Sequence, residues 1–517
     1  MGHCRFAGVA VAAASLLGCW AVPARHVGSE PGARACHYEL TVVDPGAAEL
    51  AVDARCEGEG VRAFVASERV MAHLVGDARA ADGTPLGRHD ARFVLPAERP
   101  AHIRYRVPLG AVAELAGDID VAARVGRSWI APVSTWALSP EPVAMNADIT
   151  IGVRVPAGFG FATGMHRRGD GYAIRGYEIR IGTYAVFGRF ERQRLTVPGP
   201  LSLDGQPYRD AELEIVTLDG RVEASPELRL RWVRDAALGV TEFFHGFPVE
   251  RALLVVVPAA GYRGVVHGKV VAAGGATIAL RLGEHATEER LYRDWILVHE
   301  LFHLGFPSFW GEGKWLDEGL ATYFEPIIRA RAGWRGERAV WNEFAHEMHQ
   351  GLRAVERTGL ERTDGDRGIY WGGALVALLA DARARRESGG RRGLEDGVRA
   401  LLAAGGDATR IWRLDDAIAV IDRALGAPVL RELADAHSYT GRPVDLPELF
   451  RSLGVRARDD GVELRDDAPL LSVRRAIVFP PGVARVAGAS SLAEQSRASA
   501  ASRSRGKSSD PTRAEHH

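Results

Sequence analysis

The segment from His299 to Tyr323, HELFHLGFPSFWGEGKWLDEGLATY, constrains this chain more tightly than any other stretch. It opens with His-Glu-x-x-His inside a run of helical periodicity, where side chains four positions apart lie one turn apart on the same face. Thr287 suits an N-cap, Glu288 and Glu289 suit the positive end of a helix dipole, and Gly305 and Pro307 supply a stop. Leu291, Trp295, Val298 and Phe302 recur at spacings of three and four, so one amphipathic helix is expected from the Thr287 cap onward, with these four on its apolar face.

His299 and His303 can therefore share one metal ion. Two neutral imidazoles on a rigid helix suit zinc, and a catalytic zinc site takes a third protein ligand while keeping one position open for water. Glu318 is the candidate third ligand: Leu316, Leu320 and Phe324 repeat every four residues around it, so a second helix can present it to the first. Glu300 then remains free of the metal as a candidate general base, able to take a proton from water and pass it to a leaving amine. Glu325, seven residues after Glu318 and on the same helix face, is a candidate to accept the second ring N–H of His299 or His303, against the plain alternative of a surface glutamate near a helix end. His346 and His349 read as a solvated helix face rather than as further ligands.

HELFH followed by KWLDEGLATYFE resembles the gluzincin metallopeptidases, and is most similar to the aminopeptidase N and glycyl aminopeptidase branch. The resemblance implies a thermolysin-like catalytic domain, a Zn2+ cofactor and peptide or protein substrates. Ile369-Tyr370-Trp371-Gly372-Gly373 resembles that branch's Tyr-x-Lys-Gly segment, which implies that the Tyr370 hydroxyl stabilises the oxyanion, although Gly372 stands where the segment has lysine. Two further departures are visible. Only fourteen residues separate His303 from Glu318, a tighter connection than in that branch. The edge-strand sequence Gly-x-Met-Glu-Asn, whose glutamate anchors a free amine there, is matched here by Gly268-Lys269-Val270-Val271-Ala272 without an acid. Aminopeptidase specificity is not supported, and Glu284 is the one nearby acid able to replace the anchor.

The remainder of the chain supplies context. With 65 basic and 66 acidic side chains in 517 residues, the balance offers no bias toward nucleic acid. The first 24 residues read as a signal peptide whose apolar run is too short to span a bilayer. Leu16-Leu17-Gly18-Cys19 resembles a bacterial lipobox, with lipidation of Cys19 as the anchor and cleavage after Ala24 as the alternative. Cys36 and Cys56 would then remain as an even pair able to form a disulfide in an oxidising compartment. The expected fold class is multidomain α+β. It comprises an N-terminal antiparallel β-domain (27–196), a thermolysin-like catalytic lobe (205–345), a helical lobe (346–455) and a C-terminal extension (456–517) that is disordered from about 490. The expected function is zinc-dependent peptide hydrolysis by an exported, membrane-anchored lipoprotein. A non-catalytic zinc-binding surface lipoprotein that keeps the fold is the alternative.

Overall fold

The computed structural model describes residues 32–480, apart from 68–70, 72–73, 97–99 and 200–208. The signal peptide, Cys19 and the tail beyond 490 lie outside the described residues.

Strand-forming alternation dominates the first part of the chain. In Gly32–Asp44 the side chains of Cys36, Tyr38, Leu40 and Val42 are buried while alternate positions are less so, the period-two pattern of a sheet with one face on a core. This strand lies inside a seven-stranded sheet, antiparallel to Glu49–Glu59 and parallel to Val143–Arg154. Cys36 sits directly opposite Cys56 in that ladder, and the two form a disulfide. Two four-stranded sheets close over the same core. Tyr38 and Tyr105 cross it and donate their hydroxyl protons to the carbonyls of Leu138 and Trp136, at 2.6 and 3.0 Å. A buried phenol requires such a partner.

A five-stranded sheet follows, in the order Phe190–Val197, Ala211–Leu218, Arg251–Ala259, Ala276–Gly283, Val265–Val271. The inner three strands are parallel and the two edges antiparallel. Burial on both faces explains the unbroken apolar run Leu253 to Val257 in the central strand. One face packs on helices, and the other meets the β-domain through Ile130, Tyr184 and Val186. Strand Phe190–Val197, which the alternation alone places at the end of the β-domain, pairs instead with Ala211–Leu218 and belongs to this second sheet. The change of sheet thus precedes residue 190 and the expected boundary near 196. Alternation specifies a half-buried strand but not which partner it pairs with.

Helices dominate from Ile296 onward. Helix Lys314–Arg331 runs on through Pro326, where a stop or kink is expected, because its last turn is fixed by buried Ile327 and Ile328 and by ion pairs of Arg329 and Arg331. Residues 455–478, expected as an extension, form a hairpin (Val455–Arg458, Gly461–Leu464) and a helix (Leu471–Val478). Val462 and Ile477 of these elements are fully buried in the same core as the five-stranded sheet. No helix among the described residues is long and apolar enough to cross a membrane.

Candidate metal centre

The expected single helix before His303 is two helices, Glu288–Arg293 and Ile296–His303. Thr287 caps the first by accepting from Arg290 N–H. Asp294 has extended backbone angles, and its carboxylate accepts the Ile296 N–H at 2.8 Å, starting the second helix anew. A short acid that satisfies a free helix N–H competes with continuing the helix. The break keeps Val298 and Phe302 in the core but turns Trp295 out, leaving it 42% exposed.

Within Ile296–His303 both histidines point at Glu318 on helix Lys314–Arg331. His299 Nε2 lies 3.2 Å and His303 Nε2 3.4 Å from the same oxygen, Glu318 Oε2. Two donors bound about 2.1 Å from one tetrahedral zinc stand about 3.4 Å apart. Both histidine–glutamate separations thus match an edge of a zinc tetrahedron, all three groups offer ligand atoms within 4.8 Å of one another, and the donor set of two imidazoles and one carboxylate suits that ion. The carboxylates of Asp317 and Glu318 make the cluster favour positive charge. Burial acts to raise the Glu318 carboxyl, but hydrogen bonds and charge from His299 and His303 hold it well below the usual carboxylate range. Burial acts to lower His303, yet Asp317 and Glu318 keep it well above an ordinary histidine. His299 is fully enclosed, and burial drives it down toward the neutral form that a ligand requires.

Glu300, within electrostatic reach of His303 and Glu318, lies against the edge strand Val265–Val271. A Cβ on Gly268 would come within 2.6 Å of Glu300 Cγ and 2.5 Å of Ile296, so only glycine lets the strand lie this close to the helix. The Val270 backbone N–H donates to the Glu300 carboxylate, but burial outweighs it and pushes the group up to about 7. Tyr370, on helix Asp366–Glu387, stacks on the His299 imidazole with ring centroids 5.6 Å apart and planes 2° apart. Its phenol is held protonated by burial first and then by the charge and hydrogen bond of Glu318. Five sequence candidates, His299, Glu300, His303, Glu318 and Tyr370, are therefore brought together.

Glu325 is not among them. Its carboxylate is bound bidentately by Arg329, at 2.6 and 3.0 Å, and touches neither histidine. Periodicity assigned it the right face, but seven residues carry it about 10 Å along the axis, past the metal site. The carboxylate that does orient a ligand is Asp317, which accepts the His303 Nδ1–H at 2.7 Å. The signal was available in the sequence, as an acid immediately preceding the third ligand. Such partners fix tautomer and ring orientation, so Asp317→Ala is expected to weaken zinc binding by about 10–100-fold. Competition with a chromophoric chelator measures this, and an unchanged affinity would remove Asp317 from the role. His346 hydrogen-bonds Asn342 O, and neither it nor His349 joins a metal-capable cluster among the described residues. Glu284 is committed elsewhere, accepting from Gly261 N–H at 3.0 Å and pairing with Arg221 at 3.5 Å. It also lies beyond the end of strand Ala276–Gly283, whereas Leu280, the partner of Gly268, is inside it.

No protein-family model and no curated protein sequence matches the chain. Solved structures do. An aminopeptidase N family protein from Idiomarina loihiensis superposes with a TM-score of 0.62 at 14% identity, over 84% of this chain and 82% of that one. This chain has that fold. An M1 zinc metallopeptidase from Deinococcus radiodurans aligns at a TM-score of 0.48 and 16% identity, over 81% of this chain and 97% of that one.

Proposed function

We propose that this chain is a zinc-dependent peptidase of the gluzincin type, with His299, His303 and Glu318 as the metal ligands. The observation that carries the proposal is the placement of both Nε2 atoms 3.2 and 3.4 Å from one Glu318 oxygen, with Glu300, bonded to neither histidine, at the adjoining helix position. Zinc bound there supplies Lewis acidity toward a peptide carbonyl. Glu300 takes a proton from the attacking water as its oxygen bonds to the carbonyl carbon, and delivers that proton to the nitrogen as the C–N bond breaks. Tyr370 donates its hydroxyl hydrogen bond to the oxyanion that develops. The second water proton stays on the acid product until it too passes to the amine, so the products leave as a carboxylate and an ammonium. A binding protein that merely keeps the zinc would have no need of Glu300 and Tyr370 beside the ligands.

The edge strand bears on specificity. Val270 packs on the catalytic core and Val271 on the β-domain side, so neither position offers a carboxylate, and Glu284 is engaged with Arg221. A substrate ammonium would find no partner on this strand, and an unpaired charge in a partly desolvated cleft is costly. Peptides with blocked amino ends are accordingly proposed as substrates. The experiment is hydrolysis of one peptide with and without N-terminal acetylation, by enzyme whose metal content is measured. About one zinc per chain is expected, with activity lost to chelator and restored by zinc, and kcat/KM is expected to change less than about tenfold on acetylation. A loss of a hundredfold or more, about 2.7 kcal/mol, would mean that an amine anchor exists. Protein that takes up no zinc would defeat the whole reading.

A further inference from the structure

Among the described residues two tryptophans are exposed, Trp295 at 42% and Trp310 at 55%, the first just before the motif helix and the second seven residues after its end. Trp310 has its ring partner in the β-domain, Tyr177, at 6.5 Å between centroids. Trp295 instead touches a candidate metal ligand. Its indole meets the His299 imidazole edge-on, with centroids 5.0 Å apart and planes at 89°, while Tyr370 stacks on the same imidazole.

Leu291, Val298 and Phe302, the residues that share the helical spacing of Trp295, are buried in the core, whereas Trp295 is exposed and is not one of the buried core residues. The Asp294 turn that interrupts the helix is what directs it outward. The sequence thus places the largest apolar side chain where it is solvated at a cost, one turn from His299 and one residue before Ile296, which abuts the edge strand beside Glu300. The indole is thus separated from the candidate metal position by one imidazole, that of His299. The neighbouring carboxylate of Asp294 is half-buried and already accepts the Ile296 N–H at 2.8 Å.

We infer that Trp295 is a specificity-determining residue, the wall of a subsite that takes a large apolar side chain, aromatic above all, on a substrate residue flanking the scissile bond. The inference rests on the peptidase reading. An aromatic substrate side chain can pack offset or edge-on against the indole, and an alanine at that position forfeits the contact.

The test uses internally quenched peptides that carry Phe, Leu, Ala or Arg at one position on either side of the cleaved bond. The full-length protein is expected to favour Phe over Ala by at least about tenfold in kcat/KM at one of these positions, the scale on which an apolar pocket discriminates. Trp295→Ala should collapse that ratio to within about twofold, while Trp295→Phe should keep most of it. Zinc content and thermal midpoint, measured on each variant, exclude misfolding as the cause. In parallel, calorimetric binding of the Phe and Ala peptides to Glu300→Gln protein, with and without Trp295→Ala, reads the same preference without turnover. A Phe preference that survives Trp295→Ala, or a preference for Arg, overturns the subsite while leaving the peptidase standing. Zinc-loaded protein that cleaves none of the peptides defeats the peptidase reading, and the subsite falls with it.

Discussion

Glu300→Gln is expected to keep its zinc and its thermal midpoint and to lose peptide hydrolysis by about 10²–10⁴-fold in kcat/KM, the usual worth of a positioned proton-transfer group. The two side chains have the same shape, so the close passage of Gly268 over Glu300 is not disturbed. The amide oxygen can still accept the Val270 N–H that holds the carboxylate in place. What the amide cannot do is accept the water proton and return it to the leaving amine. Glu300 bonds neither His299 nor His303, whose carboxylate partners are Glu318 and Asp317, so metal content should not follow the activity. Parallel metal analysis and steady-state kinetics make the distinction. Equal activity in the two proteins would eliminate Glu300 as the base, and loss of zinc together with activity would mean that the helix had not tolerated the change.

The parts of this site that were legible before any coordinates are those where chemistry limits the choice of residue. Two imidazoles one helical turn apart and a glutamate on a following helix admit few other uses, and all three converge as expected. Where the reading rested on periodicity alone it was less complete. Periodicity gives an angle around an axis and says nothing of depth along it, so Glu325 was placed on the right face but lies two turns away, neutralising Arg329. It also assumes an unbroken helix, which the Asp294 side chain interrupts, and Trp295 passes from the expected apolar face into solvent. Strand Phe190–Val197 has the same alternation in whichever sheet it joins, because register and partner are chosen by contacts distant in sequence. Asp317 is hard to single out in the sequence because Glu318 beside it is the more conspicuous carboxylate.

The departure at Gly372, where a lysine stands in the resembling segment, has a steric account that leads to the second large effect. Helix Asp366–Glu387, which carries Tyr370, passes between two backbones. On one side a Cβ on Gly373 would lie 2.0 Å from Trp315 O and 2.7 Å from Gly319 Cα, and a Cβ on Gly319 would lie 2.4 Å from Gly373. On the other side a Cβ on Gly351 would lie 2.2 Å from Gly372 N, and one on Gly372 would lie 2.7 Å from Leu360. A lysine side chain at 372 would meet Leu360 and Ala354, and the crossing at Gly319 sets how near Tyr370 comes to Glu318, one residue away. Gly373→Ala should therefore force the Glu318 and Tyr370 helices apart. Alanine gains up to about 1 kcal/mol over glycine in helix propensity. Overpacking against a neighbour that can yield costs about 1–3 kcal/mol, and here the obstacle is backbone, so a net loss of at least about 2 kcal/mol is expected. Because the displaced helices carry Tyr370 and Glu318, hydrolysis should fall and zinc binding weaken at temperatures where the protein is still folded. Denaturant midpoints of Gly373→Ala and of Gly87→Ala, an open position with nothing within 4 Å, make the comparison. The control should stay within about 0.5 kcal/mol of the parent. A Gly373→Ala protein as stable and as active as the parent would show that the two helices have slack at their crossing, and the contact of Tyr370 with His299 and Glu318 would then need another support.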